Sequence, residues 1–148
     1  MIWIAVLVPV VLDQISKYMI ANNPSLHEIE VIRGFFHITY VKNTGMAWSM
    51  MSGQTGLLAL ISAVAIGVMI RYLLVSKPDK LTSFGLGLMI SGAAGNLVDR
   101  LFLGYVRDFL NFYIFGYDFP VFNIADAALC IGVGILLLAT FMEERKNG

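Results

Sequence analysis

Residues 57–75 read LLALISAVAIGVMIRYLLV, and only Ser62 and Arg71 interrupt this apolar run. The hydrocarbon core of a bilayer is ~30 Å thick, so a helix needs about 20 mostly apolar residues to cross it. This stretch therefore predicts a membrane-spanning helix.

Three further stretches on either side of it have the same character. The four predicted transmembrane helices cover residues 2–21, 57–75, 84–103 and 121–142, within a single domain of residues 1–148. The first is not a cleavable signal peptide, because no basic segment precedes it and no small-residue cleavage site follows it. The predicted fold class is an all-α integral membrane protein with four transmembrane helices.

The composition of the whole chain supports this class. Of its 148 residues 58% are hydrophobic and 14% are charged, whereas a soluble domain is about 45–50% apolar and 25% charged. Such hydrophobicity excludes a disordered chain. The formal net charge of zero argues against a nucleic-acid partner, and a single cysteine excludes a disulfide scaffold.

The longest connection, between the first two predicted helices, contains alternating apolar residues. Ile29 and Val31, then Phe36, Ile38 and Tyr40, alternate with polar residues on either side of Gly34. Two-residue alternation is typical of half-buried strands. We predict a short extracytoplasmic β-hairpin or cradle between helices one and two.

Lysine and arginine residues beside the helices predict the orientation. Four spans place both termini and the short loop 76–83 on one side, which carries Lys77, Lys80, Arg145 and Lys146. Positive residues accumulate on the cytoplasmic side of membrane proteins. The bias is small, and it predicts cytoplasmic termini.

Apart from Ser62 and Arg71 in the second span, the polar residues of the predicted helices fall toward the opposite side. A charge at the centre of a membrane helix costs about 2.5–3.5 kcal/mol on insertion scales, so such residues commonly serve a function. These residues are Asp13, Lys17, Asn96, Asp99, Arg100, Asn123 and Asp126, with Asn43 and Asp108 in loops on the same side. Their common location predicts a single site.

The residue types limit the chemistry of this site. There is no G-x-S-x-G or H-E-x-x-H motif, and His27 and His37 lack the spacing of a metal site. A carboxylate pair sharing a proton can activate water, as in aspartic peptidases. Spacing does not choose among the five candidate acids, Asp13, Asp99, Asp108, Asp118 and Asp126.

Other interpretations of these residues stay open from the residue types alone. Asp13 and Lys17 are four residues apart and could form only a helix-stabilising ion pair. Arg100 could extend to the membrane interface without any role in a site. The acids could instead serve a proton or ion transporter, and a purely structural membrane subunit is a third alternative.

Five short motifs resemble those of signal peptidase II, the bacterial lipoprotein signal peptidase family. They are DQISK at 13–17, NTGMAW at 43–48, GAAGNLVDR at 92–100, VRDF at 106–109 and FNIAD at 122–126. They occur in the family's order and spacing over essentially the whole chain. Met46 is bulkier than the small residue expected there, which affects only local loop packing.

The resemblance implies a function and a set of site residues. It implies an aspartic endopeptidase of the bacterial cytoplasmic membrane that removes the signal peptide from diacylglyceryl-modified prolipoproteins, just before the lipid-bearing cysteine. The implied catalytic pair is Asp108 and Asp126, and the implied substrate-binding set is Asn43, Asn96, Arg100 and Asn123, supported by Asp13 and Lys17. We expect membrane lipids as surroundings, an active site toward the outer leaflet, a monomer, and no metal or cofactor.

Overall fold

Four long helices and a small antiparallel sheet form the structure, a computed structural model that describes residues 2–46 and 50–147. The helices are α1 (Ile2–Ala21), α2 (Thr55–Ser76), α3 (Lys80–Leu103) and α4 (Ile124–Asn147). All four are long and apolar enough to cross a membrane, and the mean hydropathy of their most apolar 18 residues lies between 1.4 and 2.3. The prediction of four helices long and apolar enough to cross a membrane is confirmed. Ala47 and Trp48, the end of the second motif, lie outside the described residues.

Three helices begin at positions that differ from the predicted boundaries, and one of them, α2, begins two residues early at Thr55. Helix α3 begins four residues before the predicted position, where Asp79 Oδ1 accepts hydrogen bonds from the backbone N–H groups of Leu81 and Thr82. Helix α4 begins at Ile124 and not at Val121, because the chain around Phe122 pairs with a strand. Side-chain oxygens that accept the first free N–H groups of a helix fix its start.

The sheet is larger than the predicted hairpin. Strands β1 (Glu28–Ile32) and β2 (Phe36–Asn43) precede α2, and β3 (Val106–Ile114) and β4 (Tyr117–Asp118) lie between α3 and α4. They form one antiparallel sheet in the order β1-β2-β3-β4. The chain is therefore not all-α, and the second half of the sheet comes from the connection 104–120, for which we predicted no strand. The aromatic residues of this connection do not alternate regularly with polar ones, so the sequence lacks the two-residue period that would have predicted a strand.

Helix α3 is the centre of the bundle. Half of the residues in the most apolar 18-residue segment of α3 are buried inside the protein, against 11–22% in the corresponding segments of the other three helices. Glycine allows this packing: a Cβ at Gly92 would collide with the carbonyl oxygen of Ala125 in α4, and one at Gly95 would lie 2.7 Å from Asp13 Oδ2 in α1. Small residues let membrane helices approach closely. The close approach brings α1 and α4 against the end of α3 that carries its polar residues.

Candidate active site

Two aspartates meet at the junction between the sheet and the helices. Asp108 lies on β3 and Asp126 lies in the first turn of α4. Asn123 joins them: its Nδ2 donates to Asp108 Oδ1 at 2.6 Å, and its backbone N–H donates to Asp126 Oδ2 at 3.2 Å. The two acids predicted as a catalytic pair therefore share one neighbour.

Asn123 also caps the start of helix α4, immediately before Ile124. Its Oδ1 accepts the backbone N–H of Asp126 at 2.9 Å, while Asp126 accepts the backbone N–H of Asn123. This reciprocal pair resembles a capping box, which satisfies two free N–H groups at a helix start. The spacing of Asn123 and Asp126 already carries this signal in the sequence. It fixes the Asp126 carboxylate relative to the helix axis.

Asn96 connects Asp126 to the interior of the bundle. Its Nδ2 donates to Asp126 Oδ1 at 2.7 Å, and its Oδ1 accepts from Lys17 Nζ at 3.0 Å and from Asn123 Nδ2 at 3.1 Å. Because the two donors occupy the oxygen side of the amide, the amide nitrogen is directed at Asp126. The orientation of Asn96 is thereby determined by Lys17 and Asn123.

A buried charge cluster lies beneath this site. Lys17 Nζ contacts Asp13 Oδ2 at 2.8 Å and Asp99 Oδ2 at 3.5 Å, and all three side chains are fully buried. With Asn96, these contacts use all the donors of the ammonium group. Asp13 Oδ1 in turn accepts the backbone N–H of Ala125 at 2.9 Å. The cluster thus holds the start of α4 against α1 and α3.

Arg107 connects the sheet to the same cluster, a role that the sequence did not predict. Its guanidinium forms a bidentate contact with Asp99, with Nη2 at 2.7 Å from Oδ1 and Nε at 3.1 Å from Oδ2. Its backbone N–H also donates to Asp99 at 2.9 Å, and its Nη2 reaches Gln14 Oε1 at 3.0 Å. The residue immediately before Asp108 is therefore held by α1 and α3. Its place inside the quoted motif VRDF, next to Asp108, was the signal that could have indicated this.

Asn43 and Arg100 lie nearer the surface of the site. Asn43 Nδ2 donates to Asp108 Oδ2 at 2.9 Å, and its Oδ1 accepts the backbone N–H of Gly45. Arg100 Nη2 donates to the carbonyl oxygen of Gly45 at 3.1 Å. In the described part of the chain Arg100 forms no ion pair. Both residues are only partly buried, so they remain accessible from outside the cluster.

The surroundings of Asp108 favour its protonated form. Burial raises the pKa of Asp108 to about 7, and the nearby charge of Asp126 adds to the rise. Hydrogen bonds from Asn43 and Asn123 oppose it. Like charges and burial both penalise the ionised carboxylate, whereas donors stabilise it. At neutral pH this group can hold a proton beside a second acid.

The structure separates the other candidate acids from this pair. Asp99 is bound to Arg107 and Lys17, and Asp13 to Lys17 and a backbone N–H. Asp118 is exposed on β4. Among the described residues no three histidine, cysteine or acidic side chains lie close enough to hold a metal ion. All eight predicted site residues come together, Asp108 and Asp126 at the centre.

Comparisons with known proteins agree on one family. The family model of signal peptidase (SPase) II matches residues 4–142. A lipoprotein signal peptidase of Halalkalibacterium halodurans is 40% identical over 146 residues, covering 97% of this chain and 94% of the relative. Two solved structures, both described as bacterial membrane enzymes, are also similar. The first has a TM-score of 0.92 and 32% sequence identity, and the match covers 99% of this chain and 91% of that chain. The second has a TM-score of 0.85 and 34% sequence identity, and the match covers 94% of this chain and 91% of that chain.

Proposed function

Because the chain belongs to the signal peptidase II family of membrane proteases, we propose that Asp108 and Asp126 are the catalytic pair that cleaves lipid-modified prolipoproteins. The observation that carries this proposal is the pairing of the two acids through Asn123, together with the rise of the Asp108 pKa to about 7. The substrate is a diacylglyceryl-modified prolipoprotein, and cleavage precedes its lipid-bearing cysteine.

The two carboxyl groups have different tasks in this mechanism. Asp108 holds the proton and donates it to the oxygen of the scissile carbonyl, while ionised Asp126 accepts a proton from the attacking water. The water oxygen forms a bond to the carbonyl carbon, giving a tetrahedral intermediate. Asp126 then gives its proton to the departing nitrogen as the C–N bond breaks. Asp108 regains a proton as the new carboxyl group forms.

The predicted binding residues divide into two groups by burial. Asp13, Lys17 and Asn123 are fully buried and their polar groups are paired, so they position the catalytic acids. Asn96 acts in the same way through Asp126. Asn43 and Arg100 are accessible and can contact the backbone of an extended signal peptide. The cycle needs no metal or cofactor, and the chain acts as a monomer.

The first test of this function is cleavage of a purified precursor. Reconstituted enzyme in detergent, with chelator present and without any ion gradient, is expected to shorten a diacylglyceryl-modified prolipoprotein. The same precursor without lipid on its cysteine is expected to be cleaved far more slowly. Gel mobility and mass spectrometry identify the product. An uncut lipidated precursor would favour a transporter or structural subunit.

The orientation of the chain is the second point to test. The termini are cytoplasmic and the active site lies toward the outer leaflet, where a lipid-anchored substrate arrives by lateral diffusion. Alkaline phosphatase fused after Gln54 or Gly116 is expected to be active, and fusions after Lys80 or Arg145 inactive. The opposite pattern would place the site on the cytoplasmic side.

The activity is expected to depend on pH through the acid pair. Above pH of about 7 the pair loses its shared proton, so kcat/KM falls about tenfold per pH unit. Asn43→Leu removes a hydrogen bond that stabilises ionised Asp108, so its alkaline limb is expected to move to higher pH. The apparent values belong to the pair and not to one aspartate. An alkaline limb that Asn43→Leu leaves in place would contradict this assignment.

A further inference from the structure

A polar cavity lies on the sheet, and neither Asp108 nor Asp126 lines it. It has a volume of about 660 Å³ and is lined by side chains of all four strands. Glu30, His37 and Asn111 occupy directly opposed positions on β1, β2 and β3. Opposed residues of neighbouring strands project from the same face of a sheet. Glu28 and Asp118 also line this cavity and bring its carboxylates to three.

Asn111 is the unusual member of this row. The residue is only 5% exposed, yet its Oδ1 has no hydrogen-bond partner among the described residues. His37 Nδ1 is likewise buried and unpartnered there, while His37 Nε2 lies 3.5 Å from Glu30 Oε1. Buried polar atoms are nearly always paired, and an unpaired one costs free energy. The cavity therefore presents two acceptor atoms, Asn111 Oδ1 and His37 Nδ1, that have no hydrogen-bond donor among the described residues.

The chemistry of the lining selects an organic cation. No arginine or lysine lines the cavity, so three carboxylates give it a negative charge. Its acids do not form a group close enough for a single metal ion in the described part of the chain. An amide oxygen and an imidazole nitrogen need an N–H donor, which a primary ammonium supplies and a quaternary ammonium does not.

The position of the cavity indicates where such a cation comes from. Arg107 and Asn111 both lie on β3, and between them the backbone N–H groups of Phe109 and Leu110 donate to the same carbonyl oxygen of Phe122, which marks a β-bulge. Arg107 contacts Gln14 in α1 and Asp99 in α3, so the start of β3 is held against the helices. Asn111 lies four residues, or about 13 Å, further along the strand. The cavity therefore lies toward the far end of β3, next to the turn that follows Ile114.

Exposed apolar side chains surround this end of the sheet. Ile32 and Phe35 at the turn between β1 and β2, and Ile114 and Phe115 at the turn between β3 and β4, are all exposed. Exposed apolar clusters mark interaction sites, including those with membranes. We propose that the cavity binds the primary ammonium of an ethanolamine phospholipid in the leaflet nearest the sheet. This proposal does not depend on the peptidase assignment.

Thermal unfolding with defined lipids tests this proposal. Delipidated protein in detergent is mixed with phosphatidylethanolamine or with phosphatidylcholine of identical short acyl chains. Because a ligand stabilises the state that binds it, phosphatidylethanolamine is expected to raise the unfolding temperature by about 2–4 °C more than phosphatidylcholine does. Equal effects of the two lipids would overturn the proposal. A lysine-containing peptide that matches phosphatidylethanolamine would identify a polypeptide, and not a lipid, as the occupant.

Two variants separate binding from a structural role. Asn111→Leu removes an acceptor that has no partner, so without lipid it should be at least as stable as the parent, yet lose the preference for phosphatidylethanolamine. Glu30→Gln keeps an oxygen for the backbone N–H of Gly34 but removes the charge, so the preference should weaken. Glu143→Gln, on α4 and outside the cavity, is the matched control. A preference that survives in both cavity variants would refute the site.

Discussion

Asp108→Asn and Asp126→Asn are each expected to lower turnover of a lipidated precursor by about 10⁴-fold or more. Each change preserves the shape of the side chain but removes the group that holds or accepts the catalytic proton. The double variant should be little worse than either single variant, because residues that act as one unit are strongly non-additive. The rate is measured with purified protein and a lipidated precursor.

These variants should remain folded and should still bind substrate. An amide costs less to bury than a carboxylate, although it offers one acceptor fewer to Asn43, Asn96 and Asn123. Glu144→Gln is the matched control, since it makes the same acid-to-amide change at the far end of α4 and should keep parental activity. Cleavage by either aspartate variant at a near-parental rate would show that another acid performs the chemistry.

Lys17→Met is expected to reduce the free energy of unfolding by about 3–5 kcal/mol. The ammonium is fully buried and contacts Asp13, Asp99 and Asn96, so its removal leaves Asp13 without its counter-charge, while Asp99 keeps Arg107. Activity should fall as well, because Asn96 loses a donor that sets its orientation toward Asp126. Thermal or denaturant unfolding in detergent measures the stability.

A second substitution distinguishes a charge effect from a packing effect. The double variant Lys17→Met with Asp13→Asn should recover part of the lost stability, because it removes the buried charge that Lys17 no longer compensates. The exposed Lys80→Met at the start of α3 serves as control and should lie within about 0.5 kcal/mol of the parent. A Lys17→Met protein as stable as this control would contradict the structural role of the cluster.

The sheet shows why local sequence was insufficient for part of the fold. The strand β3 pairs with β2 across more than 60 intervening residues, and such pairings depend on the tertiary structure. Its aromatic residues follow no clear two-residue period, so no strand was predicted there. The start of α4 was also shifted, because pairing of Phe122 with Leu110 competes with the helix. The capping pattern of Asn123 and Asp126 was the signal that could have corrected it.

The sequence by itself determined that four helices are long and apolar enough to cross a membrane, because the length and hydropathy of a span are local properties. It also indicated that the polar residues gather on one side, since alternating spans place them there. Spacing along the chain left the pairing of the acids open and the family resemblance named Asp108 and Asp126, whereas the tertiary structure shows which partner each acid meets. Asp13 and Asp99 meet cations, whereas Asp108 and Asp126 meet through Asn123. That difference depends on how α1, α3, α4 and β3 pack, because contacts between distant segments are not encoded in the spacing of residues along one segment.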